Sequence, residues 1–275
     1  MMKPGIFART FGASNIADTC EASKRSGFEL LHFNLSCVGL DSMPLEIPED
    51  VIHLINSTLQ SHNIEMCGIS GTFNMCHPDP DVIEDGMQRF ETLVKACGPM
   101  NIGFVSLCTG TRNPFDKWKY HPDNESKESW RLLLNSMERC LVVAEAHNVI
   151  LGVEPETANV VSSIIKADTL LKELSSRYLK IIFDVANLYE GGSEGSILAI
   201  IETGLDVLGE HIQMIHVKDK AANGFFTTPG QGVIPFPFLV ERLKENHKEV
   251  PLVAHGFDGS DAKNVRAYLQ GIIGK

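Results

Sequence analysis

The chain predicts a (β/α)8 barrel on three observations: eight short apolar runs, a helical periodicity in the segments after them, and a length of 275 residues. Strands that alternate with helices must pair in parallel through right-handed crossovers. Eight such units within about 250 residues suit a barrel closed on itself, with a doubly wound open sheet as the alternative.

The strands come first. The runs are GIFART (5–10), ELLHFNL (29–35), IEMCGIS (64–70), FVSLCTG (104–110), VILGVEPE (149–156), KIIFDVAN (180–187), IQMIHVKD (212–219) and PLVAHGF (251–257). Between them, apolar residues recur at spacings of three and four, which places them on one helix face. Over 128–147 these are Trp130, Leu133, Met137, Leu141 and Ala144; over 81–98 they are Ile83, Met87, Phe90 and Val94, with Gly98 as the stop. The last helix carries Val265, Leu269 and Ile272 inward, with Ser260 as its expected N-cap.

Composition limits the setting. With 43% hydrophobic and 21% charged residues the chain has ordinary globular character, expected to form one domain over 1–275. No apolar stretch approaches the roughly 20 residues of a membrane span, and MMKPGIFART lacks the apolar centre of a signal peptide, so a soluble, cytoplasmic protein is expected. The seven cysteines follow no zinc-like spacing, and Cys67, Cys97, Cys108 and Cys140 sit in apolar segments, as in a reducing compartment. A net charge of -11 speaks against a nucleic-acid partner, whose affinity rests on Lys and Arg.

The apolar runs end in chemistry. Glu154 and Glu156 close the fifth, Asp184 the sixth, His216, Lys218 and Asp219 the seventh, and His255 the eighth. In a barrel of this type the active site lies at the carboxyl ends of the strands, so these side chains should share one basin. Two carboxylates and two imidazoles (Glu154, Asp184, His216, His255) suit one divalent ion such as Mn, Co, Mg or Zn. Any one of the acids alone would as readily cap a helix or face solvent.

In these residues the chain resembles the sugar phosphate isomerase/epimerase group of the xylose-isomerase-like barrels, which includes inosose dehydratases, ketose 3-epimerases and endonuclease IV. The resemblance runs nearly end to end, most specifically in GISGTFNMCHPDP, SLCTGTRNPFDKWKYHPDN, GVEPETANVV, IIFDVAN and IHVKDK. It implies that Glu154, Asp184 and His216 are metal ligands. The family's fourth ligand is usually a Glu on the last strand, and here His255 holds that place. An imidazole can still bind metal or move a proton, but the two-glutamate symmetry of the epimerases is lost. One-sided proton abstraction or elimination gains accordingly; packing alone is the other role open to His255. The chemistry implied is a Lewis-acid ion on a hydroxy-ketone, stabilising the enediolate left by proton abstraction, with Glu156, Lys218, His255 and Glu154 as candidate proton carriers. Reprotonation gives epimerisation or isomerisation, and loss of a β-hydroxyl gives dehydration.

Other residues are candidates for the substrate. Lys218 shares a strand face with His216 and could hold developing negative charge, or pair with Asp219 or Glu190. Asn187 follows Asp184 by three residues and could lie by the metal or cap the next helix. His32 and Asn34 alternate with Leu31, Phe33 and Leu35, so both could face the mouth, with His32 otherwise a core histidine. The long segment 109–124 should cover the site, with Arg112, Trp118 and His121 toward ligand, unless it packs on itself. Gly230 and Gly232 should make a tight turn after strand seven, and Pro235 and Pro237 fix the entry to the next helix; as a Gly-x-Gly they are weak evidence for phosphate. No G-x-S-x-G elbow or dinucleotide motif is present. The expected partner is a small carbohydrate or cyclitol, with no nucleic acid and no membrane, in a chain that could self-associate. The expected activity is a metal-dependent isomerase or epimerase, with a lyase or dehydratase as the alternative and a non-catalytic sugar-binding barrel as the rival from another class.

Overall fold

The computed structural model describes residues 2–274, so the end residues of the expected 1–275 domain, Met1 and Lys275, lie outside the described residues. The barrel strands are β1 (Pro4–Phe7), β2 (Leu30–Phe33), β3 (Glu65–Ser70), β4 (Phe104–Cys108), β5 (Ile150–Glu154), β6 (Leu179–Phe183) and β7 (Ile212–Val217). A short antiparallel pair follows, β8 (Asp219–Lys220) with β9 (Phe226–Thr227), and β10 (Leu252–Ala254) is the last barrel strand. All barrel pairings are parallel, and β1 joins both β2 and β10, which closes the sheet. The alternative of an open sheet is thereby excluded.

The helices are α1 (Ile16–Ser26), α2 (Glu49–Ser61), α3 (Pro80–Cys97), α4 (Lys127–Ala146), α5 (Ile164–Leu174), α6 (Val185–Leu188), α7 (Glu194–Leu208), α8 (Phe236–Glu245) and α9 (Ala262–Ile273). Their starts follow from sequence: Asn15, Asp79, Ser126 and Ser163 each accept a backbone N–H of the first turn of α1, α3, α4 and α5. Ser260 does not cap α9. It lies inside a 3-10 turn, Gly259–Asp261, capped by Asp258, whose Oδ1 accepts both the amide of Ser260 at 2.9 Å and its hydroxyl at 2.6 Å, so the serine side chain is already engaged. None of the described helices is long and apolar enough to cross a membrane.

Two packed regions result from the strand alternation. Outward residues such as Val105 and Leu107 of β4 belong to the main core, together with Leu133, Met137 and Cys140 of α4. Inward, Phe104, Ile182, Met214 and Val253 form a separate apolar plug across the barrel. Phe104 needs room: a Cβ on Gly68 or Gly152 would lie 2.8 or 2.1 Å from its ring. The plug seals one end and leaves the inward residues of the carboxyl end to line a cavity.

Candidate active site

Period-two alternation carries the inward side of each strand on to its carboxyl end. Beyond Ile150 and Gly152 of β5 comes Glu154; beyond Ile182 of β6, Asp184; beyond Met214 of β7, His216 and then Lys218; beyond Val253 of β10, His255. Glu154, Asp184, His216 and His255 each offer a ligand atom, and these atoms all lie within 4.8 Å of one another. Donors bound at about 2.0–2.2 Å around one ion sit within about 4.4 Å of each other, so small movements would close this shell on a cation.

The hydrogen bonding points the same way. Nδ1 of His216 and Oε2 of Glu154 are 3.1 Å apart but not aligned as a hydrogen bond, and Nε2 of His255 stands 3.6 Å from Oδ2 of Asp184. Asp184 Oδ2, His216 Nδ1 and His255 Nε2 are buried with no hydrogen-bond partner. Unpartnered buried polar atoms are rare because each costs about 1–3 kcal/mol. Three such groups, gathered with the Glu154 carboxylate, have the donor set and the unmet demand of a divalent-cation site, and the cluster could hold a metal.

The remaining oxygens are fixed. Oδ1 of Asp184 accepts from the backbone N–H of Ala186 (2.9 Å) and Asn187 (3.2 Å). These bonds bend the chain into α6, so the sixth run, expected to extend to 187, ends as a strand at Phe183. The turn brings Asn187 round to donate from Nδ2 to Oε1 of Glu154 at 2.5 Å. Asn187 thus does not cap a helix; Asp184 does.

Electrostatics separate the carboxyls. Burial pushes Glu156 up to about 7, aided by the neighbouring Glu154 charge. Burial also opposes charge on Glu154, but His216 beside it wins and holds that carboxyl below its usual range. For Asp184 burial is likewise outweighed, by Lys218 and His255, and its carboxyl lies well below the usual range. Nζ of Lys218 is 3.6 Å from Oδ2 of Asp184 and 4.5 Å from the Phe226 ring. Asp184 therefore takes the lysine, while Asp219 accepts four loop amides and Lys220 donates to the carbonyl of Tyr189.

The cavity in front of these groups has about 210 Å3. His32, Trp118, Glu154, Glu156, Asn187, His216, Lys218 and His255 line it, and Asp184 lies fully buried behind them. Three other candidates stand elsewhere. Oδ1 of Asn34 accepts from Ser36 N and Ser42 Oγ, capping a 3-10 turn. The Arg112 guanidinium donates to the carbonyls of Cys76 and His77. His121 accepts the amide of Asp123 at the start of another 3-10 turn. All three order loops around the cavity without lining it. Sequence reasoning passed over Phe7, Ser70, Thr72, Ser106 and Cys108, which do line it. The alternation Phe104, Ser106, Cys108 on β4 was the available signal, hidden because every residue of that strand is buried.

A closed parallel barrel with acids and imidazoles gathered at the carboxyl ends of its strands has the layout of a TIM-barrel active site. The chain belongs to the xylose isomerase-like TIM barrel family, whose model matches residues 20–271. Inosose dehydratase from Salmonella typhimurium is 24% identical over 159 residues, covering 51% of this chain and 48% of the relative. The matched part thus spans about half the length of that curated relative. Among solved structures, D-psicose 3-epimerase from Clostridium cellulolyticum, crystallised with D-tagatose, superposes with a TM-score of 0.75 at 17% identity, covering 99% of both chains. The IolI protein with a bound zinc atom gives 0.75 at 16% identity over 99% of this chain and 98% of the other.

Proposed function

We propose that the protein is a divalent-metal-dependent isomerase or epimerase that moves a proton next to the carbonyl of a keto-sugar or cyclitol. The observation that carries this reading is the set of buried, partnerless ligand atoms of Asp184, His216 and His255 gathered with Glu154 at the floor of a polar cavity. An ion held by Glu154, Asp184, His216 and His255 would supply Lewis-acid polarisation of the substrate carbonyl. The chain's own residues do the rest. Glu156 faces the cavity with Oε2 steadied by the Asn159 amide at 3.3 Å, which leaves Oε1 to take the proton. Lys218 presents its ammonium to the substrate oxygen on which negative charge grows. Trp118, half-exposed on the cavity wall, offers its ring to the C–H face of the substrate. On the opposite strand, His255 supplies an imidazole where a second carboxylate would make the site symmetric.

That asymmetry, together with the similarity to an inosose dehydratase, favours elimination as the second reading. Both readings share the first proton transfer, so one experiment addresses both. Metal-loaded protein is incubated in D2O with ketohexoses and inosose, and deuterium incorporation beside the carbonyl is followed by NMR. Exchange is expected in wild type and should fall about 10²–10⁴-fold in Glu156→Gln, with bound metal unchanged. Exchange that survives Glu156→Gln at full rate would remove that residue from the role. Absence of exchange with every substrate, alongside intact binding, would favour a sugar-binding barrel instead.

A further inference from the structure

The cavity has two unlike halves. Strands β5 to β10 bring the charged groups. Strands β2 to β4 bring His32, Ser70, Ser106 and Cys108, none of them a carboxylate or a Lys or Arg cation. Ser70 and Ser106 are register partners on adjacent strands, so their side chains stand side by side on the inner face of the barrel, about 4.8 Å apart as strands are.

The serines of this protein provide their own comparison. Four are buried: Ser23, Ser106, Ser129 and Ser136. Ser23 donates to the carbonyl of Phe28, Ser129 to that of Asp123 and Ser136 to that of Met75. Ser106 is only 6% exposed, yet among the described residues its hydroxyl has no such partner, and neither has that of Ser70. Ser70 is half-buried and neither hydroxyl is sealed in the protein interior; both open on the cavity, so the pair is free to donate to and accept from a ligand there. Beside them the His32 ring, 2% exposed, has both nitrogens unpartnered. Phe7 lies 5.2 Å from His32 and 6.2 Å from His255 by ring centroids, an apolar face between the two halves. At about 210 Å3 the cavity is smaller than the roughly 300 Å3 at which pockets for drug-sized ligands begin, which limits the occupant to one small ring.

We infer that Ser70 and Ser106 form a hydroxyl-reading subsite that binds two adjacent hydroxyls of a neutral polyhydroxy ketone, with its C–H face against Phe7. The inference rests on the proposed function for the identity of the ligand as a hydroxylated carbonyl compound, and deepens it by excluding an anionic group at this end. Sites built to bond a hydroxyl reject analogues that lack it, since their own polar atoms are then left unpaired.

The test is calorimetric titration of metal-loaded protein with D-psicose and with inosose. Ser70→Ala and Ser106→Ala should each weaken the tighter probe about three- to tenfold, with melting temperature and metal content as in wild type. Ser106→Cys, which keeps the volume and offers only a weak donor, should lose nearly as much, and guards against a folding artefact. A probe lacking one of the two hydroxyls should bind wild type more weakly but feel one of the alanine substitutions no further. Affinity insensitive to both substitutions overturns the subsite. So does tighter binding of a carboxylate-bearing analogue through these serines, or no saturable binding of either neutral probe to wild type. Serine-dependent binding without deuterium exchange would instead sink the proposed reaction and leave the subsite standing.

Discussion

Glu154 owes its orientation to one neighbour. Its Oε1 is held by Nδ2 of Asn187 at 2.5 Å, which turns Oε2 toward Nδ1 of His216 at 3.1 Å. Groups that hold a metal-binding side chain in place typically contribute 10–100-fold in affinity. Asn187→Ala should therefore weaken Mn or Zn binding about 10–100-fold, measured by competition with a chromophoric chelator, whereas Glu154→Gln should abolish it. If Asn187→Ala binds metal like wild type and loses only affinity for sugar, Asn187 serves the substrate directly. His255 poses the same kind of question. Its ring packs edge-on against His216 with centroids 4.4 Å apart, and burial followed by that neighbour keeps its proton affinity below the usual imidazole range. The neutral ring is the form a metal requires.

One loop is built around a single acid. Asp219, fully buried, accepts the amides of Lys220 and Gly230 at 2.9 Å, Gly232 at 3.0 Å and Ile234 at 3.1 Å. Gly230 turns at φ +87°, whereas Gly232 is needed for space, since a Cβ there would lie 2.2 Å from Asp219 Oδ1. Asp219→Ala should cost about 2–4 kcal/mol in denaturant unfolding and open 221–234 to limited proteolysis; an unchanged unfolding midpoint would mean that the amides find other partners. This loop also shows what the sequence could reveal. The two glycines were visible, but their partner was not, because Asp219 lies 11 and 13 residues away and contacts at that range have no periodic signature. The eight barrel strands were legible because inward and outward apolar residues make continuous runs in a sheet buried on both faces. Every run except the third, which ends with its strand at Ser70, extended past the strand's end, at Thr10, Leu35, Gly110, Glu156, Asn187, Asp219 and Phe257, because hydrophobicity alone does not decide where the chain turns. The metal-site candidates stood out as polar interruptions of apolar runs. Ser70 and Ser106 did not, since a serine in a strand carries little signal until its neighbours across the barrel are known.

At the scale of the whole molecule, barrel closure converts local strand ends into one electrostatic problem. Strands β5 and β7 and the turns after β6 and β10 each deliver one ligand-bearing side chain to the axis, and the apolar plug of Phe104, Ile182, Met214 and Val253 lies below them. The partnerless atoms are thus held together by the entire sheet, so they oppose folding until something binds them. A cation that binds the folded barrel and not the unfolded chain stabilises by mass action, about 2.7 kcal/mol at a hundredfold excess over its Kd. For a chain of this size that corresponds to a rise of about 5 °C in melting temperature. Treatment with EDTA should lower the melting temperature by that amount, and Mn, Co or Zn should restore it in proportion to the logarithm of concentration. In Asp184→Asn with His255→Ala the response should flatten, because half of the cluster can no longer bind. An equal response in this double variant would place the stabilising ion elsewhere on the acidic surface, and the convergence of the four strand ends would then need a different explanation.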